Sequence, residues 1–269
     1  MPAPIVELIA ELRWQHGPSA PDAGQAPSFP GMFLSAPASA GLDEFFMRFG
    51  AAAAQIKHRN IERLVPPGFP LIAHQAVYRF RPDQGQQPIS SIYQVGPGLF
   101  TANAVPPYES WRTFEPIVSD GVKALLGARP AAEADMPFSG ISLRYIDVFD
   151  QVFTQGRDLP TFLSEVLGIS IGLPVALSEH IAPGSSYKPV LQLNIPMADG
   201  FTFGMVYGEG AAGGRQGFVL ETSLSTAQLV SPSAEAVMAK FNHFHEVIHK
   251  AFVGLTKPLH DLMPPEARQ

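Results

Sequence analysis

The chain contains no cysteine. That single absence excludes disulfides, thiolate zinc ribbons, iron–sulfur ligation and cysteine nucleophiles, while leaving the redox compartment open. Charge is also scarce. Asp, Glu, Lys and Arg make up 16% of 269 residues, against roughly a quarter in ordinary soluble domains. Net charge is −6, and Lys and Arg never stand more than two together. A nucleic-acid backbone requires a basic footprint, so no nucleic-acid partner is expected. Long apolar runs are missing as well. None approaches the roughly 20 residues of a membrane span, so no membrane partner is expected. Glu7, Glu11 and Arg13 interrupt the apolar start, which argues against a secretory signal and leaves a cytoplasmic protein as the expectation.

What is present is ample core material. Hydrophobic residues reach 46% at a mean hydropathy of +0.09, with 24 Gly and 27 Pro supplying turns. This composition implies a single globular domain over 1–269. The start, 4–14, reads as a strand. Residues 17–37 hold Pro18, Pro21, Pro27, Pro30 and Pro37 and read as a loop, because proline cannot donate to a ladder. Over 39–64, Leu42, Phe45, Phe46 and Phe49 recur at helical spacing, and Pro66-Pro67-Gly68 closes the stretch. Strands are predicted over 71–80, 89–95 and 99–105, the last two joined by Gly96-Pro97-Gly98. A helix over 108–128 comes next with Pro116 inside it, where a kink or a late start is expected.

The second half repeats this order. Strands are predicted over 138–153, 175–181, 189–196, 201–207 and 217–226, with a short helix over 159–167. Ser231-Pro232 is read as the opening of a final helix with the apolar stripe Val237, Phe241, Phe244, Ile248, Phe252, Leu255 and Leu259. The expected fold is α+β: antiparallel sheet covered on one face by long amphipathic helices, with similar strand–helix halves at 1–130 and 131–269.

Four segments carry a resemblance. They are Pro4-Ile5-Val6-Glu7 leading to Arg13-Trp14, the run 94–114 with Tyr108, Trp111 and Phe114, the strand ISLRYIDV at 141–148, and FNHFHEVIHKAF at 241–252. Together they resemble a sporadically distributed family of uncharacterised bacterial proteins of about this length. Its pattern is a PxVE start, a YxxWxxF helix opening, an LRYIN strand and an LHxxIxxxF final helix. Asp147 stands where that pattern favours Asn, and the Pro-rich stretch after Trp14 is an insertion. The resemblance supplies no chemistry. Its scattered occurrence implies a toxin-immunity or defence-accessory role by association.

Three motifs bear on chemistry. His245-Glu246-Val247-Ile248-His249 is a literal HExxH on a predicted helix. Two histidines one turn apart share a face, and Glu246 is placed to polarise a zinc-bound water. A catalytic zinc needs a third protein ligand. The 20 residues beyond the motif offer only His260, Asp261 and Glu266, at spacings that suit neither a continued motif nor another helix. The helical wheel sets His245 and His249 at the flank of the core stripe and turns Glu246 to solvent. Gly208-Glu209-Gly210-Ala211-Ala212-Gly213 fits GxGxxG, but it leads into a strand pattern rather than a helix and reads as a hairpin loop. Arg144, Tyr145 and Asp147 lie on one strand, Tyr145 and Asp147 on the face opposite Arg144. They are candidate binding residues, the alternative being an Arg144 paired with a neighbouring carboxylate. Tyr108 and Trp111 are candidates to line a groove at a helix start.

The leading expectation is a non-catalytic binding protein with a protein partner and no cofactor. The alternatives are a zinc-dependent hydrolase built on His245, Glu246 and His249, and a module enclosing a small ligand.

Overall fold

The computed structural model describes residues 4–15, 36–83, 90–106, 108 and 110–263. In chain order the elements are β1 (Ile5–Arg13), α1 (Ala36–Gln55), β2 (Asn60–Arg63), β3 (Tyr78–Arg81), β4 (Ser90–Gly96), β5 (Leu99–Val105), α2 (Trp111–Ala128) and β6 (Gly140–Phe149). Next come α3 (Gln151–Thr154), α4 (Leu159–Glu165), α5 (Val175–Ser178), β7 (Leu191–Pro196), β8 (Thr202–Ala212), β9 (Arg215–Thr226), α6 (Ala234–Leu255) and a 3-10 turn, Lys257–Leu262. The protein is α+β. Among the described residues the strands form one nine-stranded antiparallel sheet in the order β2-β3-β4-β5-β1-β6-β9-β8-β7. Outward from the middle, β1 is followed by β5, β4, β3 and β2, and β6 by β9, β8 and β7.

Two compact units make up the chain. One comprises Ile9–Leu143 and Thr226–His243; the other comprises Met1–Leu8, Arg144–Ser225 and Phe244–Gln269. The first unit is an aromatic core. Phe49 of α1 makes edge contacts with Phe80, Tyr93 and Phe100 at centroid distances of 5.2, 6.2 and 5.9 Å. α2 lies so close to β4 and β5 that a Cβ at Gly121 would stand 2.5 Å from the Tyr93 ring. Glycine is required there by approach rather than by backbone conformation. Ser110 caps α2 through the Thr113 N–H, and the helix runs unbroken through Pro116. Trp14 packs edge-on to Phe45 and Phe138, and its indole N–H donates to Glu133 at 2.7 Å. The Arg129 guanidinium lies over the Trp14 and Phe138 rings, a cation–π arrangement that accepts a buried charge with few hydrogen-bond partners.

The second unit packs Phe162 of α4 against Phe149, Tyr207 and Phe218. Phe244 of α6 sits edge-on to Phe201. β8 and β9 form a hairpin from Thr202↔Ser225 to Ala212↔Arg215. Its two-residue turn is Gly213-Gly214, with φ of +56° and +77°. Two successive positive φ values are what a type I′ turn demands, and glycine supplies both without strain.

Several local expectations are corrected. The loop expected over 17–37 falls outside the described residues from 17 to 35, and α1 already begins at Ala36. The helix expected to reach 64 ends at Gln55, and 60–63 is strand β2. The strand expected over 71–80 narrows to β3, and that expected over 175–181 is the short helix α5. Apolar letters alone did not separate helix from strand in so short a run. α6 opens two residues later than the Ser231-Pro232 reading. Ser233, not Ser231, accepts from the Ala236 N–H. GxGxxG belongs to the β8–β9 hairpin, with strand continuing to Ala212.

Candidate functional site

Two places in the molecule gather side chains with functional potential. The first is the inner face of α6 in the second unit. β6 alternates so that Tyr145, Asp147 and Phe149 share the face turned to the core. The Tyr145 hydroxyl is hydrogen-bonded to His245 Nδ1 at 2.7 Å. His249 stacks one turn further on, with ring centroids 5.5 Å apart. Burial, reinforced by His249, pulls the His245 pKa down to about 4, so its imidazole is neutral at pH 7. Glu246 is exposed, because i+1 on a helix points away from the face that i and i+4 share. Among the described residues no cluster of three or more His, Asp or Glu is arranged to hold a metal ion. The HExxH segment thus has its first histidine bonded to a tyrosine and its glutamate in solvent.

Asp147 is 3% exposed, and its Oδ2 has no hydrogen-bond partner. Burial pushes its pKa up to about 7, against the opposing pull of the Arg215 guanidinium. Thr222 Oγ1, Tyr207 OH and His249 Nε2 are likewise buried without a hydrogen-bond partner. Burial pushes the Tyr207 hydroxyl pKa up as well. On the opposite face of β6, Arg144 pairs with Glu221 of the adjacent β9 at 3.4 Å. That is the structural alternative weighed for Arg144. Arg215 bonds Asp150 at 2.6 Å and ties the end of β6 to β9.

The second place is a groove in the first unit beside α1. Asp43, Phe46, Met47, Gly50 and Ala51 from the helix, with Ile61, Tyr78 and Phe80 from β2 and β3, enclose about 580 Å³. Its lining is mostly apolar, and two large side chains stand in solvent, Met47 at 70% and Ile61 at 54% exposed. Gly50 lets α1 approach the strands closely, since a Cβ there would stand 3.3 Å from the Phe80 ring. Arg63 stacks over the Tyr78 ring at 5.6 Å. Asp43 is the acidic group of the lining.

The candidates Tyr108 and Trp111 also belong to the first unit. Trp111 is buried and its indole donates to Asn242 Oδ1 at 2.8 Å, while Asn242 donates to Glu115 at 2.8 Å. Tyr108 packs against Phe114. Trp111 therefore holds helix to helix rather than lining an open surface. Sequence reasoning missed the α1 groove. The signal was there: Asp43, Phe46, Met47, Gly50 and Ala51 have the spacing of a second helical stripe beside the core stripe. Thr222 and Tyr207 were missed because a single hydroxyl in a strand looks the same whether or not it is paired.

No protein-family model matches this chain, and no curated protein matches it significantly.

Proposed function

We propose that this chain is a non-catalytic binding protein that engages a protein partner through the groove beside α1. The observation that supports the reading is the exposure of Met47 and Ile61 on an apolar, open groove. Isolated exposed apolar residues are ordinary, but a concave apolar patch is the form that a docking surface takes. The partner offers apolar side chains to Phe46, Met47 and Ile61 and a basic group to Asp43. A cytoplasmic setting and the toxin-immunity or defence-accessory role implied by the bacterial resemblance belong to the same reading.

The test is affinity capture of the tagged chain from its native lysate, with mass spectrometry and metal analysis on one eluate. Wild type retains one stoichiometric partner, and the double variant Met47→Glu/Ile61→Asp loses it while keeping its circular dichroism spectrum. One equivalent of zinc, lost on His249→Ala and unaccompanied by a protein, would overturn the reading in favour of a hydrolase. A small molecule retained in place of a protein would overturn it in favour of a ligand-binding module.

A further inference from the structure

β7 ends the sheet. It pairs with β8 from Leu191↔Tyr207 to Pro196↔Thr202, and beyond that ladder the Met197 N–H donates to the Phe201 carbonyl at 2.8 Å. In an antiparallel ladder, hydrogen-bonded and non-bonded pairs alternate. The Met197 bond therefore assigns the odd-numbered residues of β7 to β8. The backbone groups of Gln192 and Asn194 point off the sheet, and Pro196, with no N–H, presents only its carbonyl. Among the described residues no strand pairs with this edge.

The side chains of the edge are unusual in the same direction. Odd positions from 187 to 197 are Tyr, Pro, Leu, Leu, Ile and Met, an unbroken apolar face. On the adjacent β8 the matching residues Phe203, Met205 and Tyr207 are 7%, 3% and 0% exposed, whereas Ile195 is 45% and Met197 38% exposed. No charged residue occurs from Pro189 to Ala198. Edge strands that remain free are generally guarded by charge, proline, bulges or cover; β7 has no charged guard within that span, and Pro196 guards only its end.

We propose that two copies of this chain join β7 to β7, antiparallel across a two-fold axis at Gln192. The register is set by the free edge. Centred on Gln192, the outward groups of Asn194 meet those of Val190 in the second copy, and both keep donor and acceptor. Pro196 then meets Lys188, whose N–H donates to the proline carbonyl, so the missing donor falls at the end of the ladder. Moving the axis one residue, to Leu193, sets Pro196 against Val190 and leaves Lys188 without a partner in the strand, so the ladder is one facing pair shorter. On the apolar face the same register places Leu191 against Leu193 and Ile195 against Pro189. At the axis Gln192 meets its own copy, and a carboxamide, being both donor and acceptor, matches itself. A two-fold interface demands such self-complementarity.

The experiment is the molar mass of the full chain by light scattering during size exclusion. Wild type is expected near twice 29.0 kDa. Asn194→Pro removes only an outward N–H and is expected to elute as a monomer with an unchanged circular dichroism spectrum. Gln192→Lys sets two like charges across the axis and Gln192→Glu does the same with opposite sign. Each alone is expected to be monomeric, and a one-to-one mixture is expected to recover the dimer mass. A wild type that stays monomeric at high concentration would overturn the proposal. So would a dimer that survives all three substitutions, or a mixture that fails to recover the dimer.

Discussion

The inner face of α6 and the groove of α1 are opposite cases. In the second unit polar groups are inward, one of them on α6 itself. His249 Nε2, Asp147 Oδ2, Thr222 Oγ1 and Tyr207 OH are all buried without hydrogen-bond partners. At α1 the apolar groups are outward, with Met47 and Ile61 in solvent. Each inverts the ordinary partition of side chains, and each inversion costs stability unless something offsets it. A buried polar group can lower its cost alone, by changing protonation. An exposed apolar side chain can be covered only by another molecule. For that reason the groove carries the functional reading, and the histidine motif, despite its catalytic spelling, does not.

Breaking the comparison at its polar end should give the largest effects. Asp147 has a pKa of about 7 in the folded protein against 3.8 unperturbed. Between those values the folded state holds the proton that the unfolded state has lost, so stability falls as pH rises from about 4 to about 7. The shift corresponds to a loss of about 4 kcal/mol across that window. Asp147→Asn, which installs the residue of the resembling pattern, should abolish this fall. Urea midpoints at successive pH values for both proteins would show it. A variant as pH-dependent as wild type would refute the burial account of Asp147.

His245 works with the opposite sign. Its folded pKa of about 4 lies below the unperturbed 6.5, so the unfolded state binds more protons in between. Its contribution to stability is lost as pH falls from about 6.5 to about 4. His245→Gln removes that loss, and at pH 7 it costs about 1 kcal/mol for the Tyr145 hydrogen bond. With the His245 contribution gone, the decline in urea midpoint from about pH 4 to about pH 7 should be steeper than in wild type. A smaller effect is expected at Thr222. Exchanging an unpaired buried hydroxyl for a methyl leaves nothing unsatisfied, so Thr222→Val should leave stability unchanged or raised by about 1 kcal/mol. Ser91→Ala in the other unit, where Ser91 Oγ bonds the buried His58 Nε2 at 2.9 Å, should lower it by about that amount. At the apolar end, Met47→Glu should move stability by less than about 0.5 kcal/mol, the usual range for a surface change, while removing partner binding.

Periodicity carried the architecture well where patterns were long. The α2 stripe of Trp111, Phe114, Val118, Val122 and Leu125, and that of α6, announced their helices, and Gly96-Pro97-Gly98 announced the β4–β5 hairpin. Short segments carried little: 175–181 has the apolar letters of a strand and is largely helix and turn, because four residues do not distinguish a period of two from one of 3.6. At the candidate sites the HExxH spacing was plain, and so was the outward turn of Glu246. What the sequence could not convey was pairing. Whether Asp147 meets a donor, or Trp111 a neighbouring helix, depends on a contact made by residues far along the chain, such as Asn242, 131 positions from Trp111.

The most direct test of the protein-binding account is site-specific photo-crosslinking in the native lysate. One protein carries a photoreactive residue at Met47, and another carries it at Glu246, which is also open to solvent on the motif helix. The account predicts a single crosslinked protein from position 47 and none from position 246. A crosslink from 246 with none from 47 would contradict it and move the interaction to α6.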